Sequence, residues 1–151
     1  MMQHAIPPEF NATMRKFGAP QTVIRSYRYW SVLLRPAQAT LGALVLVAHE
    51  PAKAFAELSV ASFTELHEIT RDIETALSKA FYYDKINYLM LMMVDPDVHF
   101  HVLPRYAQPR SFDGLEFTDV GWPAVPNLGH INATGFAVNQ QIIDFIQSCW
   151  P

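Results

Sequence analysis

The chain has 151 residues, 50% hydrophobic and 17% charged, with a formal net charge of −3 at pH 7. That length suits one domain with its own core, the composition excludes a disordered chain, and the acidic balance excludes an electrostatic footprint for a nucleic-acid backbone. The lone Cys149 excludes an internal disulfide framework and multi-cysteine zinc motifs, and no apolar run is long enough to cross a membrane as a helix.

Residues 1–25 read as an N-terminal arm. Pro7, Pro8, Gly18 and Pro20 interrupt any periodicity, leaving irregular chain or a short helix. The opening MMQHAIPPEF lacks the basic region and apolar core of a signal peptide, so a soluble cytoplasmic protein is expected. From Ser26 to Leu34, aromatic and β-branched residues predict a strand, stopped by Arg35-Pro36. After a turn near Gly42, the apolar run Ala43–His49 predicts its antiparallel partner. Pro51–Leu58 reads as a short helix or loop.

Ser62 followed by Glu65 has the form of a capping box, and Phe63, Leu66, Ile69, Ile73, Leu77 and Ala80 recur at helical spacing. An amphipathic helix to about Phe81 follows. Lys85–Val94 is almost wholly apolar, interrupted by Asn87, and predicts a central strand buried on both faces. Asp95-Pro96 then turns the chain tightly into an antiparallel neighbour. Residues 107–134 read as a long surface loop with a short strand at 115–118, and Gly135–Trp150 as a C-terminal helix.

The neighbour after Asp95-Pro96 carries the most chemistry. In Asp97-Val98-His99-Phe100-His101-Val102-Leu103-Pro104-Arg105, strand alternation puts Asp97, His99 and His101 on one face and Val98, Phe100 and Val102 on the other. The two imidazoles then lie about 7 Å apart along the strand. Near neutral pH an imidazole is a nucleophile, a proton shuttle or a metal ligand. One of the pair can attack a phosphorus centre while the other donates to the group being displaced. Metal binding is the rival reading, with Asp97 or the distant Glu116 as third ligand. Arg105 is either a permanent cation at the site or a strand end holding a carboxylate, and His4, His67 and His130 read as structural.

The run His99-Phe100-His101-Val102-Leu103-Pro104-Arg105 resembles the signature strand of the histidine triad (HIT) superfamily. The order of elements agrees over roughly residues 26–106, including Leu41-Gly42, Val45-Leu46-Val47, the capped helix and Lys85-Ile86-Asn87. The resemblance implies an α+β fold in a single domain, 1–151. An antiparallel sheet of about five strands would carry one main helix after the first strand pair and a C-terminal helix. It implies a homodimeric nucleotide hydrolase or nucleotidyl transferase acting at the α-phosphate of a dinucleoside polyphosphate or nucleoside phosphoramidate. His99 would form the covalent nucleotidyl-histidine and His101 would bond the adjacent phosphate. No cofactor is implied beyond a divalent cation accompanying the nucleotide.

Two departures stand out. Asp97 occupies the first triad position, and an ionised carboxylate cannot donate to a phosphate oxygen. The hairpin before the triad is short, with only Val94-Asp95-Pro96 expected to intervene. Arg35 stands where many members have a ribose-contacting Asn, and Arg35 with Gln38 would replace the lost phosphate donors. Asn87 matches a family Asn and joins Arg35, Gln38 and Arg105 as a candidate substrate contact, with holding the histidine strand as the favoured use. These departures motivate the alternative, a non-catalytic nucleotide-binding relative; a metal-binding His-x-His protein ranks below it.

Overall fold

The computed structural model describes residues 9–151. A short helix, α1 (Ala12–Lys16), precedes β1 (Val23–Ser26), β2 (Trp30–Leu34) and β3 (Leu44–Ala48). A 3₁₀ turn at Phe55–Glu57 and the long α2 (Val60–Phe81) lead to β4 (Lys85–Leu89) and β5 (His99–Arg105). A small hairpin of β6 (Arg110–Phe112) and β7 (Leu115–Phe117) and the helix α3 (Phe136–Cys149) follow. The expected structural His4 lies outside the described residues.

The main sheet has five strands in the order β1-β2-β3-β5-β4, every neighbouring pair antiparallel. Every residue of β2 and β3 is buried, so these apolar runs are covered on both sides. On one face Trp30, Val32, Leu44 and Leu46 pack with Ile69, Ile73 and Leu77 of α2 and Ile142 and Ile146 of α3. On the other, Leu33, Val45 and Val47 lie under Met14 of α1, with Phe17 beside it. Burial of a residue such as Ile73 or Leu77 contributes on the order of 1.5–3 kcal/mol. Helices α2 and α3 thus take one face, and α1 with the described part of the N-terminal arm takes the face opposite. No helix among the described residues is long and apolar enough to cross a membrane.

Several boundaries differ from those expected, each for an identifiable reason. The segment Ser26–Leu34 is not one strand: it turns at Tyr27–Tyr29, where the Tyr27 amide donates to the Trp30 carbonyl at 2.7 Å, and β1 returns as an additional edge strand. Helix α2 is capped by Ser59, whose hydroxyl accepts from the Ser62 amide, one turn before the expected capping box. Glu65 does not reach back to a cap. It accepts the Arg28 and Tyr29 amides at 3.2 and 2.7 Å, tying the β1–β2 turn to the helix.

The predicted central strand Lys85–Val94 ends at Leu89 and forms the edge of the sheet, its side chains half-buried or exposed. Beyond it Met92 takes a left-handed φ of 52°, and Leu91, Met93 and Val94 are exposed. An apolar run signals burial somewhere, without naming the neighbour that provides it. The connection from β4 to β5 therefore spans residues 90–98, longer than the tight turn expected at Asp95-Pro96. The surface loop predicted over 107–134 contains the β6–β7 hairpin, which includes the expected short strand.

Gly42 closes the turn between β2 and β3 at φ +83°, and a Cβ there would lie 2.9 Å from the Phe81 ring. Gly42→Ala combines left-handed strain with a clash in the core. It is expected to cost about 2–3 kcal/mol, read from the midpoint of urea unfolding with the slope unchanged.

Candidate active site

Strand β5 runs between β3 and β4, and its register fixes what faces what. His99 lies opposite Val47 and His101 opposite Val45. Both histidines therefore occupy the sheet face covered by the arm. Their rings meet edge-on, with centroids 5.3 Å apart and planes at 80°. The Phe17 ring sits 6.2 Å from His99 and 5.8 Å from His101. Beneath this cover His99 is 2% exposed and His101 7%.

The two rings differ in their hydrogen bonding. His99 Nδ1 lies 2.7 Å from the Asp97 carbonyl oxygen. A carbonyl only accepts, so Nδ1 carries a proton, and the nitrogen that can offer a lone pair is Nε2. His101 has no such partner, and its Nδ1 is buried without a hydrogen bond. Burial, the Arg35 guanidinium and the neighbouring His99 push its pKa down to about 4. His101 is accordingly neutral at pH 7, able to donate one N–H without adding charge.

Asp97 is 4% exposed and fully engaged. Its Oδ2 accepts from the Thr13 hydroxyl at 2.8 Å and the Thr13 amide at 3.2 Å, while its own amide donates to the same hydroxyl at 3.2 Å. Its Oδ1 accepts from Lys53 Nζ at 2.9 Å. Burial would raise the carboxyl, but Lys53 and the two Thr13 donors hold it below the usual range. The side chain is thus an ionised, fully paired acceptor, and its peptide carbonyl orients His99. Beside it Lys16 Nζ pairs with Asp95 at 2.6 Å.

The remaining expected site residues divide between two places. Arg35 borders the histidines closely enough for its charge to depress His101. One of its Nη atoms donates to the Ala37 carbonyl at 2.6 Å, while its buried Nε has no partner. Gln38 is wholly buried, and its amide is consumed by backbone: Nε2 donates to the Arg35 and Ala43 carbonyls, and Oε1 accepts from the Gly42 amide. It shapes the turn that carries Arg35 and presents no free donor to a phosphate.

Arg105 shares the alternation of His99 and His101 but lies about 13 Å beyond His101 along the strand. It forms a buried two-pronged pair with Asp119, Nε to Oδ2 at 2.7 Å and Nη2 to Oδ1 at 3.1 Å. Its third donor, Nη1, reaches Asn87 Oδ1 at 2.8 Å. Asn87 and Arg105 thus anchor the far end of β5, and the structure does not bring them to the histidines. Glu116 lies on the separate β6–β7 hairpin, and no group of three or more His, Cys, Asp or Glu among the described residues is placed to hold a metal ion.

Thr13, Lys16, Phe17 and Lys53 all converge on the histidine strand without a motif to announce them. Thr13 and Lys53 are 84 and 44 residues from Asp97, a separation at which single-sequence patterning carries no signal.

Two outcomes test these assignments. Asp119→Ala would strand a buried guanidinium and is expected to cost about 3–5 kcal/mol in urea unfolding, whereas the double change Asp119→Leu with Arg105→Met recovers most of it. The second concerns pH. The unfolded His101 ring titrates near 6.5 and the folded one near 4. The unfolded chain therefore binds more protons in between, and stability is lost as pH falls from about 6.5 towards 4. His49, whose pKa burial also lowers, acts in the same direction. Thermal unfolding should show Tm falling by several degrees between pH 7 and 5, with a shallower fall in His101→Asn.

No protein-family model and no curated protein matches this chain. Solved structures do. A histidine triad (HIT) protein from Sinorhizobium meliloti 1021 superposes with a TM-score of 0.72, at 20% identity over 93% of this chain and 95% of that one. A histidine triad protein from Bradyrhizobium japonicum gives 0.68, at 17% identity over 94% and 97%. The Plasmodium falciparum diadenosine triphosphate hydrolase gives 0.63, at 10% identity over 85% and 76%. With its five-stranded antiparallel sheet, main helix and C-terminal helix, the chain has the fold of the histidine triad proteins.

Proposed function

We propose that the protein is a nucleotide hydrolase or nucleotidyl transferase that works through a covalent nucleotidyl-histidine on His99. The observation that carries this reading is the bond from His99 Nδ1 to the Asp97 carbonyl, which leaves Nε2 as the reactive nitrogen. In the first step Nε2 attacks the α-phosphorus and forms a P–N bond. The bond from phosphorus to the leaving phosphate oxygen, or to the amine nitrogen of a phosphoramidate, breaks. In the second step water or an acceptor hydroxyl attacks the same phosphorus, the P–N bond breaks, and the imidazole is restored. His101, neutral and edge-on to His99, supplies a donor beside the attack point, and Arg35 offsets the charge that develops on the phosphate oxygens.

Support also comes from the diadenosine triphosphate hydrolase among the structural relatives. The chemistry needs no resident cofactor, and a divalent cation would enter with the nucleotide. We further assign the protein to the cytoplasm as a homodimer. The exposed apolar residues Leu91, Met93 and Val94 after the edge strand β4 are the feature that favours association.

Burial of the histidines favours a second reading, a nucleotide-binding relative without turnover. Incubation with a diadenosine polyphosphate or an adenosine phosphoramidate separates the two. Hydrolysis with a nucleotidyl adduct in the intact mass is expected, and His99→Ala should lower kcat by at least ~10³-fold. Calorimetric binding of nucleoside monophosphates with no product from any anhydride would favour the binding relative. Absence of adduct, product and binding, with His99→Ala indistinguishable from the parent, would sink both.

A further inference from the structure

We propose that Asp97, together with Thr13 and Lys53, is a latch that seats residues Asn11–Phe17 over the histidine pair and so governs access to His99. The inference rests on the nucleotidyl-transfer reading above. A ring that is 2% exposed offers too small an opening for a nucleotide's α-phosphate to seat against Nε2 unless what covers the ring moves. What covers it is the arm, with Phe17 against both imidazoles.

The arm does not hold its place through its own helix. Five residues of α1 are far below the length at which a helix persists alone. The fully buried Met14, the half-buried Phe10 and Phe17 packed beside it, and a few polar contacts seat it. Asn11 Nδ2 donates to the Ala48 carbonyl at 2.8 Å, Lys16 pairs with Asp95, and Thr13 makes the reciprocal pair with Asp97. Of these, the Thr13–Asp97 pair is the buried one and includes an ionised acceptor, so it is the strongest polar tie.

The chemistry also explains why an acid stands at position 97. Three donors converge on this side chain, two from Thr13 and one from Lys53. A carboxylate offers about four lone-pair sites on two oxygens, whereas a neutral imidazole offers one. Only the carboxylate can bind all three. Lys53, with its side chain 58% exposed, pairs with the carboxylate from the solvent edge and offsets its repulsion towards an incoming phosphate. Asp97 is thus a positioning residue twice over: its carbonyl sets the tautomer of His99, and its carboxylate holds the cover in place.

Carbethoxylation of individual histidines by diethyl pyrocarbonate, read by peptide mass and normalised to the exposed His67, tests the latch without relying on turnover. In the parent protein His99 and His101 should react much more slowly than His67. Thr13→Val, which deletes the hydroxyl at constant shape, should speed His99 and His101 about tenfold, leave His67 unchanged and lower KM for the nucleotide. Thr13→Ser should restore the parent rates and KM. Lys53→Met, at an exposed side chain, gives the same direction should Thr13→Val fail to fold.

Phe17→Ala removes the cover directly and should also expose both rings. Should Phe17→Ala speed the labelling while Thr13→Val and Lys53→Met do not, Asp97 is no latch. Parent His99 reacting as fast as His67 would overturn the cover itself. Faster labelling in Thr13→Val with no nucleotide turned over by any variant would keep the latch and remove the nucleotidyl-transfer reading.

Discussion

The structure depends on β5 being an internal strand. Paired on one side with β3 and on the other with β4, it cannot slip by one residue without exchanging its two faces. That constraint assigns Phe100 and Val102 to the side packed by the helices, and His99, His101, Leu103 and Arg105 to the other. The imidazole pair is therefore positioned by backbone pairing before any side chain bonds to it. The helices stabilise the sheet from the face away from the chemistry, which leaves the histidine face to the arm.

Ionisable groups on that face are handled in two ways. At the far end of β5, Arg105, Asp119 and Asn87 satisfy one another in a buried network, so the guanidinium serves the fold. At the near end, the acids Asp95 and Asp97 are paired with Lys16 and Lys53, cations from outside the strand. Between the two ends the histidines carry no full charge partner, and His101 is driven neutral by burial and by the nearby Arg35. This part of the face thus combines a neutral His101 with two compensated carboxylates.

Much of this was legible in the residues. Alternation along Asp97–Arg105 identified the two-histidine face, helical spacing identified α2 and α3, and the order of elements pointed to the histidine triad fold. Asn87, read both as a substrate contact and as a support for the histidine strand, bonds Arg105 at the far end of β5. The errors have a common origin. Lys85–Val94 was assigned to the sheet centre and Gln38 to the substrate, because apolar density and polar type do not specify which neighbour arrives. Gln38 is spent on the Arg35–Ala43 turn, a use that depends on how the backbone folds back on itself.

The amino-acid order alone was sufficient for the periodicities, because strand and helix geometry relate residues two, three or four apart. It therefore placed His99 and His101 together and left Asp97 in phase with them. The partners of Asp97 and the cover over the histidines emerged only once the chain was folded. Thr13, Phe17 and Lys53 reach that strand through contacts spanning some 44 to 84 residues, which tertiary packing creates and no local pattern encodes.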